Sequence, residues 1–179
     1  EGSTVSIEVY RPSEDKYLIF EVERKTIEIP MVTSKMLDNN IGYVAVYEFE
    51  ETTSEQFNQA IDELTAQGMK GLIIDLRDNP GGLVNSATAI LDRILSKDQL
   101  LVYTVDKNGK KQEEYTEDDE TINVPISVLI NGNSASASEI VSGCLQDYGK
   151  AKLVGTTSFG KGIVQYVLPL GDGSAIKLT

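Results

Sequence analysis

A serine that attacks a carbonyl carbon needs a base to take its proton, donors to receive the oxyanion, and room for the substrate backbone. Ser136 stands in Asn133-Ser134-Ala135-Ser136-Ala137-Ser138, directly after the apolar run Pro125 to Ile130 and directly before a helical pattern at Ile140, Val141, Cys144 and Leu145. A hydroxyl at such a strand-to-helix junction sits at the helix mouth, where the first N–H groups are unsatisfied and can receive negative charge. Its small neighbours leave space. The bland alternative is a serine-rich N-cap and first turn. The base cannot be histidine, because the chain has none. Lys161 is the candidate instead, set between Gly160 and Gly162 with Phe159, Ile163 and Val164 around it. An apolar setting disfavours the charged amine, and only the uncharged amine accepts a proton. A solvated lysine in a flexible turn is the competing reading.

Two glycine-rich segments bear on this chemistry. Gly155-Thr156-Thr157-Ser158-Phe159-Gly160-Lys161 follows the pattern of a phosphate-binding loop up to its lysine, but Gly162 stands where the magnesium-binding hydroxyl belongs. The alternation of Ile163 to Leu168 predicts a strand there, not the helix that should receive phosphate. Nucleotide binding is therefore set aside. Gly81 and Gly82 follow Arg77-Asp78-Asn79-Pro80 at the end of a buried strand. They suit a tight turn at positive φ, and one of their N–H groups could serve as a second oxyanion donor opposite Ala137. Asp75, Arg77 and Asp78 read as ion pairing that orders the loop.

The elements that must position these residues follow from periodicity. Val5, Ile7 and Val9 alternate, as do Leu18, Phe20 and Val22 after Arg11-Pro12-Ser13-Glu14-Asp15, which predicts a hairpin with one dry face. Residues 30–40 read as a linker. From Ile41 to Phe49 a strand is expected, then a helix opened by a capping box at Thr53-Ser54-Glu55-Gln56 and carried by Phe57, Ala60, Ile61 and Leu64. Gly71 to Leu76 is apolar enough for a strand buried on both faces, completing a β-α-β unit. A second helix follows at Val84, Ala87, Leu91, Ile94 and Leu95, then a hairpin around Asn108-Gly109 and an acidic, solvated loop from Gln112 to Glu120. Leu153 and Val154 begin a short strand, and Gly171-Asp172-Gly173 turns into Ala175 to Leu178.

Composition narrows the function classes. The 179 residues carry 16 Lys and Arg against 28 Asp and Glu, a net charge of −12, which argues against nucleic acid or an anionic membrane as partner. The single cysteine, Cys144, excludes an intrachain disulfide framework and reads as a small core residue. The missing initiator Met and the abrupt end at Thr179 suggest a processed or excised piece of a longer chain.

Taken together, the chain resembles the carboxyl-terminal processing peptidases, or tail-specific proteases, which are serine proteases running on a Ser-Lys dyad. The resemblance is carried by Ile41-Gly42-Tyr43, by Gly68-Met69-Lys70-Gly71-Leu72-Ile73-Ile74-Asp75-Leu76-Arg77-Asp78-Asn79-Pro80-Gly81-Gly82, by Asn133 to Ile140, and by Ser158-Phe159-Gly160-Lys161-Gly162-Ile163-Val164-Gln165. It implies an α/β fold, a ββα-repeat protease core of the crotonase or Clp-protease kind at 41–179, preceded by the last two strands of a PDZ domain at 1–29. It implies Ser136 as nucleophile, Lys161 as general base, Gln165 as the residue that helps hold the lysine, and the amides of Ala137 and Gly82 (favoured over Gly81) as oxyanion hole. No metal or cofactor is called for. The partners implied are proteins or peptides with accessible C-termini, with room for a regulatory or adaptor protein and a homo-oligomer, in an extracytoplasmic, bacterial, membrane-tethered setting. The rivals are a catalytically inactive peptide-binding scaffold, and a hydratase-like fold holding acyl-CoA between two oxyanion amides, which gives no reason for Lys161.

Overall fold

The computed structural model describes residues 1–27, 29–119 and 121–179. The chain divides into two units, Glu1–Pro30 and Met31–Thr179. The first is an antiparallel hairpin of β1 (Thr4–Arg11) and β2 (Lys16–Glu23), whose register sets Val5 opposite Val22, Ile7 opposite Phe20 and Val9 opposite Leu18. The predicted alternation is there, yet nearly every residue of both strands is exposed and no dry face forms. A two-stranded ribbon has no second layer to bury its apolar side.

The second unit is built on one five-stranded sheet in the order β3-β4-β5-β8-β9. Its strands are β3 (Val32–Leu37), β4 (Ile41–Val46), β5 (Gly71–Asp75), β8 (Ile126–Ile130) and β9 (Ala151–Gly155), with β6 (Leu100–Val105) and β7 (Lys111–Tyr115) forming a separate hairpin. β4, β5, β8 and β9 run parallel, and β3 closes one edge antiparallel to β4. α1 (Thr53–Ala66), α2 (Val84–Asp92) and α3 (Ala137–Asp147) connect them. Phe57, Ile61 and Leu64 of α1, Ile90 and Leu91 of α2, and Val141 and Leu145 of α3 meet Val44, Leu72, Ile74 and Val128 in one core. Hydrophobic burial of this kind is the main force holding such a unit together. Cys144 belongs to that core, and burial, then Asp147, pushes its thiol up to about 11. β10 (Tyr166–Pro169) and β11 (Ala175–Leu178) pair through the turn at 171–173.

Several expectations change. Residues 32–37, read as linker, are the edge strand β3: only Val32 is buried, and an edge strand open to water reads as polar connecting chain. The strand from Ile41 stops at Val46, leaving Phe49 to make an isolated parallel bridge with Gly82. No capping box opens α1 among the described residues. Thr53 lies inside the helix, donating to Glu48 O at 2.9 Å and accepting from Glu50 N, while Gln56 Oε1 accepts from Met31 N and Val32 N. Gln112–Tyr115 of the acidic stretch belongs to β7, and Glu120 lies outside the described residues. The strand expected from Ile163 begins only at Tyr166, and residues 161–165 carry no regular structure.

Candidate active site

The loops that leave the carboxyl ends of β5, β8 and β9 meet at one edge of the sheet, the usual place for a site in an open α/β fold. Hydrogen bonds between them are dense because each loop carries short polar side chains that satisfy the next loop's backbone. Buried Asn79 donates from Nδ2 to Val46 O at 2.8 Å and accepts at Oδ1 from Gly81 N at 2.8 Å. Its own carbonyl accepts from Ala135 N at 3.1 Å and Ser138 Oγ at 3.0 Å. Ser134 Oγ donates to Leu76 O at 2.6 Å. Asp78 accepts from Asn131 Nδ2 and Asn133 Nδ2, so it ties loops together and leaves the ion pair to its neighbours. That pair is Arg77 with nearly buried Asp75, at 2.6 Å, joined by Tyr43 OH at 2.7 Å. Burial opposes the charge on Asp75, but the bonds from Arg77 and Tyr43 outweigh it and hold the carboxyl below its ordinary range.

Ser136 immediately precedes α3 and has φ 56° and ψ −113°. A non-glycine side chain avoids this region, and the surrounding bonds hold it there. Gly81 packs against it: a Cβ on Gly81 would lie 2.8 Å from Ser136 Cβ and 3.0 Å from Ala137 N. Phe49 N donates to Gly81 O, and Leu83 N donates to Phe49 O, so the bridge uses both residues beside Gly82 and turns the Gly82 N–H away from Phe49. The Gly81 N–H is taken by Asn79, whereas those of Gly82 and Ala137 have no acceptor among the described residues. The Ala137 N–H thus follows Ser136 directly, and Gly82 lines a cavity with Ser136.

Lys161, half-buried, lines the same cavity of about 450 Å³ as Ser136, Gly82 and Gln165. No hydrogen bond joins Lys161 Nζ to Ser136 Oγ among the described residues, and the Gln165 amide donates to Thr179 Oγ1 at 3.0 Å. The walls are largely apolar, from Leu83, Val84, Val102, Ile140 and Val164, with Glu48 and Glu50 also present.

Sequence reasoning passed over Glu139. Its Oε2 accepts from Ser136 N at 2.8 Å and Lys161 N at 2.9 Å, and its Oε1 from Ser158 Oγ at 2.7 Å and Gly160 N at 2.6 Å. The available signal was Ser136-x-x-Glu139, the spacing of a capping box. Burial acts to raise its pKa, but the Ser158 hydroxyl and the three amides prevail and hold the carboxyl below its ordinary range. The folded chain therefore binds this proton less readily than the unfolded chain. Its stabilisation is complete above the usual glutamate range, about pH 4.3, and fades as pH falls through that range to the lower folded value. Urea midpoints measured from pH 6 down to about 3 should fall more steeply for the wild type than for E139Q; parallel slopes would contradict the assignment.

A profile of the peptidase family S41 matches residues 40–179, and the chain belongs to that family. The solved structure of a photosystem II D1 C-terminal processing protease superposes with a TM-score of 0.74 at 28% identity, over 99% of this chain and 50% of that one. The carboxy-terminal processing protease CtpB of Bacillus subtilis is 41% identical over 99% of this chain and 38% of its own length. The carboxy-terminal-processing protease of Bartonella bacilliformis is 38% identical over 99% and 42%. The chain spans about two fifths of the length of these curated relatives.

Proposed function

We propose that this chain forms the catalytic part of a serine endopeptidase that cleaves polypeptides near their C-termini through an acyl-enzyme. The observation that carries the reading is Ser136 at positive φ in a cavity that Lys161 and Gly82 also line, with the Gly82 and Ala137 N–H groups lacking an acceptor among the described residues. With its amine uncharged, Lys161 takes the hydroxyl proton as Ser136 Oγ bonds to the scissile carbonyl carbon, and the carbonyl electrons move onto oxygen between the Gly82 and Ala137 amides. Collapse breaks the C–N bond, and Lys161 returns the proton to the leaving amine. Water, giving its proton to Lys161, then attacks the ester and releases Ser136 with its proton restored. Gln165 is assigned to holding the lysine.

The finer fold reading belongs to this proposal. Residues 1–29 are the last two strands of a PDZ domain that recruits substrate C-termini, and 41–179 is a protease core of ββα repeats. The substrates are proteins or peptides with free C-termini, and the setting is extracytoplasmic, in keeping with the processing role named for the relatives. No described helix is long and apolar enough to cross a membrane.

The test is hydrolysis of an unfolded protein or C-terminally tagged peptide by the full-length protein, from about pH 6 to 10. S136A and K161A should each abolish cleavage with unchanged circular dichroism, and a serine-reactive electrophile should label the wild type but label K161A far more slowly. A well-folded wild type that cleaves nothing at any pH would overturn the reading in favour of a peptide-binding scaffold.

A further inference from the structure

The nucleophile and the lysine come from different loops: Ser136 precedes α3, and Lys161 follows β9. Their relative placement must be fixed by something other than the sheet, since residues 156–165 have no ladder of their own. The Glu139 carboxylate spans that gap. One oxygen holds the backbone N–H of both candidate catalytic residues, and the other holds Ser158 and Gly160 of the lysine loop. A carboxylate is the only common side chain with enough acceptor sites for four donors at once, and charge-assisted bonds of this length are the stronger kind.

We infer that Glu139 is the positioning residue of this site, a brace that sets Lys161 against Ser136 by gripping the backbone of both loops. Its carboxylate bonds to three backbone amides and the Ser158 hydroxyl, not to Ser136 Oγ or Lys161 Nζ, and acts through the residues it holds. The inference rests on the peptidase reading for its kinetic consequence but not for its structural one. A glutamine in its place keeps an acceptor for one pair of donors and must point its NH₂ at the other. With the carbonyl toward Ser136 N and Lys161 N, the NH₂ can donate to Ser158 Oγ but opposes Gly160 N–H. E139Q thus weakens the brace without emptying the space, and E139A removes it.

Two measurements on the full-length protein separate the possibilities. Amide hydrogen exchange of the segments covering 134–140 and 158–162 should rise together, about tenfold or more for E139A and less for E139Q, while the β4 and β5 segments stay as in the wild type. S158A, which removes one of the four bonds, should move only the 158–162 segment. In peptide hydrolysis, kcat should fall about 10- to 100-fold for E139Q with KM within about threefold, because a misplaced base slows chemistry more than binding. Unchanged exchange at 158–162 in both variants overturns the brace whether or not the protein hydrolyses peptides. Raised exchange with kcat within about twofold of wild type overturns its catalytic consequence alone. Absence of hydrolysis in the wild type overturns the peptidase reading and leaves the exchange result to decide the brace.

Discussion

The S136G variant should melt above S136A while both are inactive. Removing the hydroxyl eliminates the proposed nucleophile in either case, so hydrolysis should fall by about 10⁴-fold or more. The two variants differ in what they ask of the backbone at φ 56° and ψ −113°. Alanine retains the Cβ that makes this region unfavourable, and glycine does not. Relief of such strain is worth about 1 to 3 kcal/mol, against which glycine gives up about 0.5 to 1 kcal/mol through its freer unfolded chain. A net gain of about 1 kcal/mol corresponds to about 2 to 4 °C for a unit of this size. Paired thermal melts of the two variants decide it. If S136G melts at or below S136A, the serine is not strained and its φ is simply a comfortable turn.

That strain is held in place by bonds from elsewhere. Asn79 O fixes Ala135 N on one side of Ser136, Glu139 fixes the Ser136 N–H, and Gly81 leaves no room on the other. The pattern of a short strand, a small-residue loop and a helix was visible in the residues themselves, because Pro125 to Ile130 is apolar except for Ser127 and α3 repeats its apolar positions at three and four. The β-α-β unit was visible for the same reason in Phe57, Ala60, Ile61, Leu64 and the run from Gly71. What could not be read were features whose partners lie far along the chain. β3 hides because Thr33, Ser34 and Lys35 face water on an edge. Asn79 is a buried polar residue satisfied from β4 and from the 134–138 loop, and nothing near it in sequence announces that. Glu139 has capping-box spacing, but three of its four donors come from a loop about twenty residues on, where only tertiary structure brings them. The Ile163 to Leu168 alternation misled in the opposite sense. Only its second half is strand, from Tyr166 where β11 supplies a pairing partner; before it Ile163 is exposed and Val164 half-buried on the cavity wall.

The same glycine-to-alanine change should have opposite effects at two places, one in α3 and one at the candidate site. In α3, a Cβ on Gly143 meets nothing within 4 Å, and Gly143 has ordinary helical conformation, so G143A should stabilise by about 0.5 to 1 kcal/mol through propensity alone. At Gly82, with φ 137°, the added Cβ would collide with Phe49 O and lie 2.8 Å from Phe49 C. Phe49 is fully buried and cannot retreat, so the strap between Phe49 and Leu83 must open, losing the bonds at 2.9 and 2.7 Å that define it. Overpacking and backbone strain together make G82A destabilising by about 2 to 5 kcal/mol. The functional loss should exceed the folding loss. Displacing the Gly82 N–H removes one of the two donors proposed for the oxyanion, and on that proposal costs about 10²- to 10³-fold in kcat for protein that is still folded. The measurement is kcat per folded molecule, with folded protein counted by near-ultraviolet circular dichroism at a temperature well below the G82A melt. If G82A retains wild-type kcat on that basis, Gly82 serves only to let Phe49 approach, and the second oxyanion donor lies elsewhere in the turn.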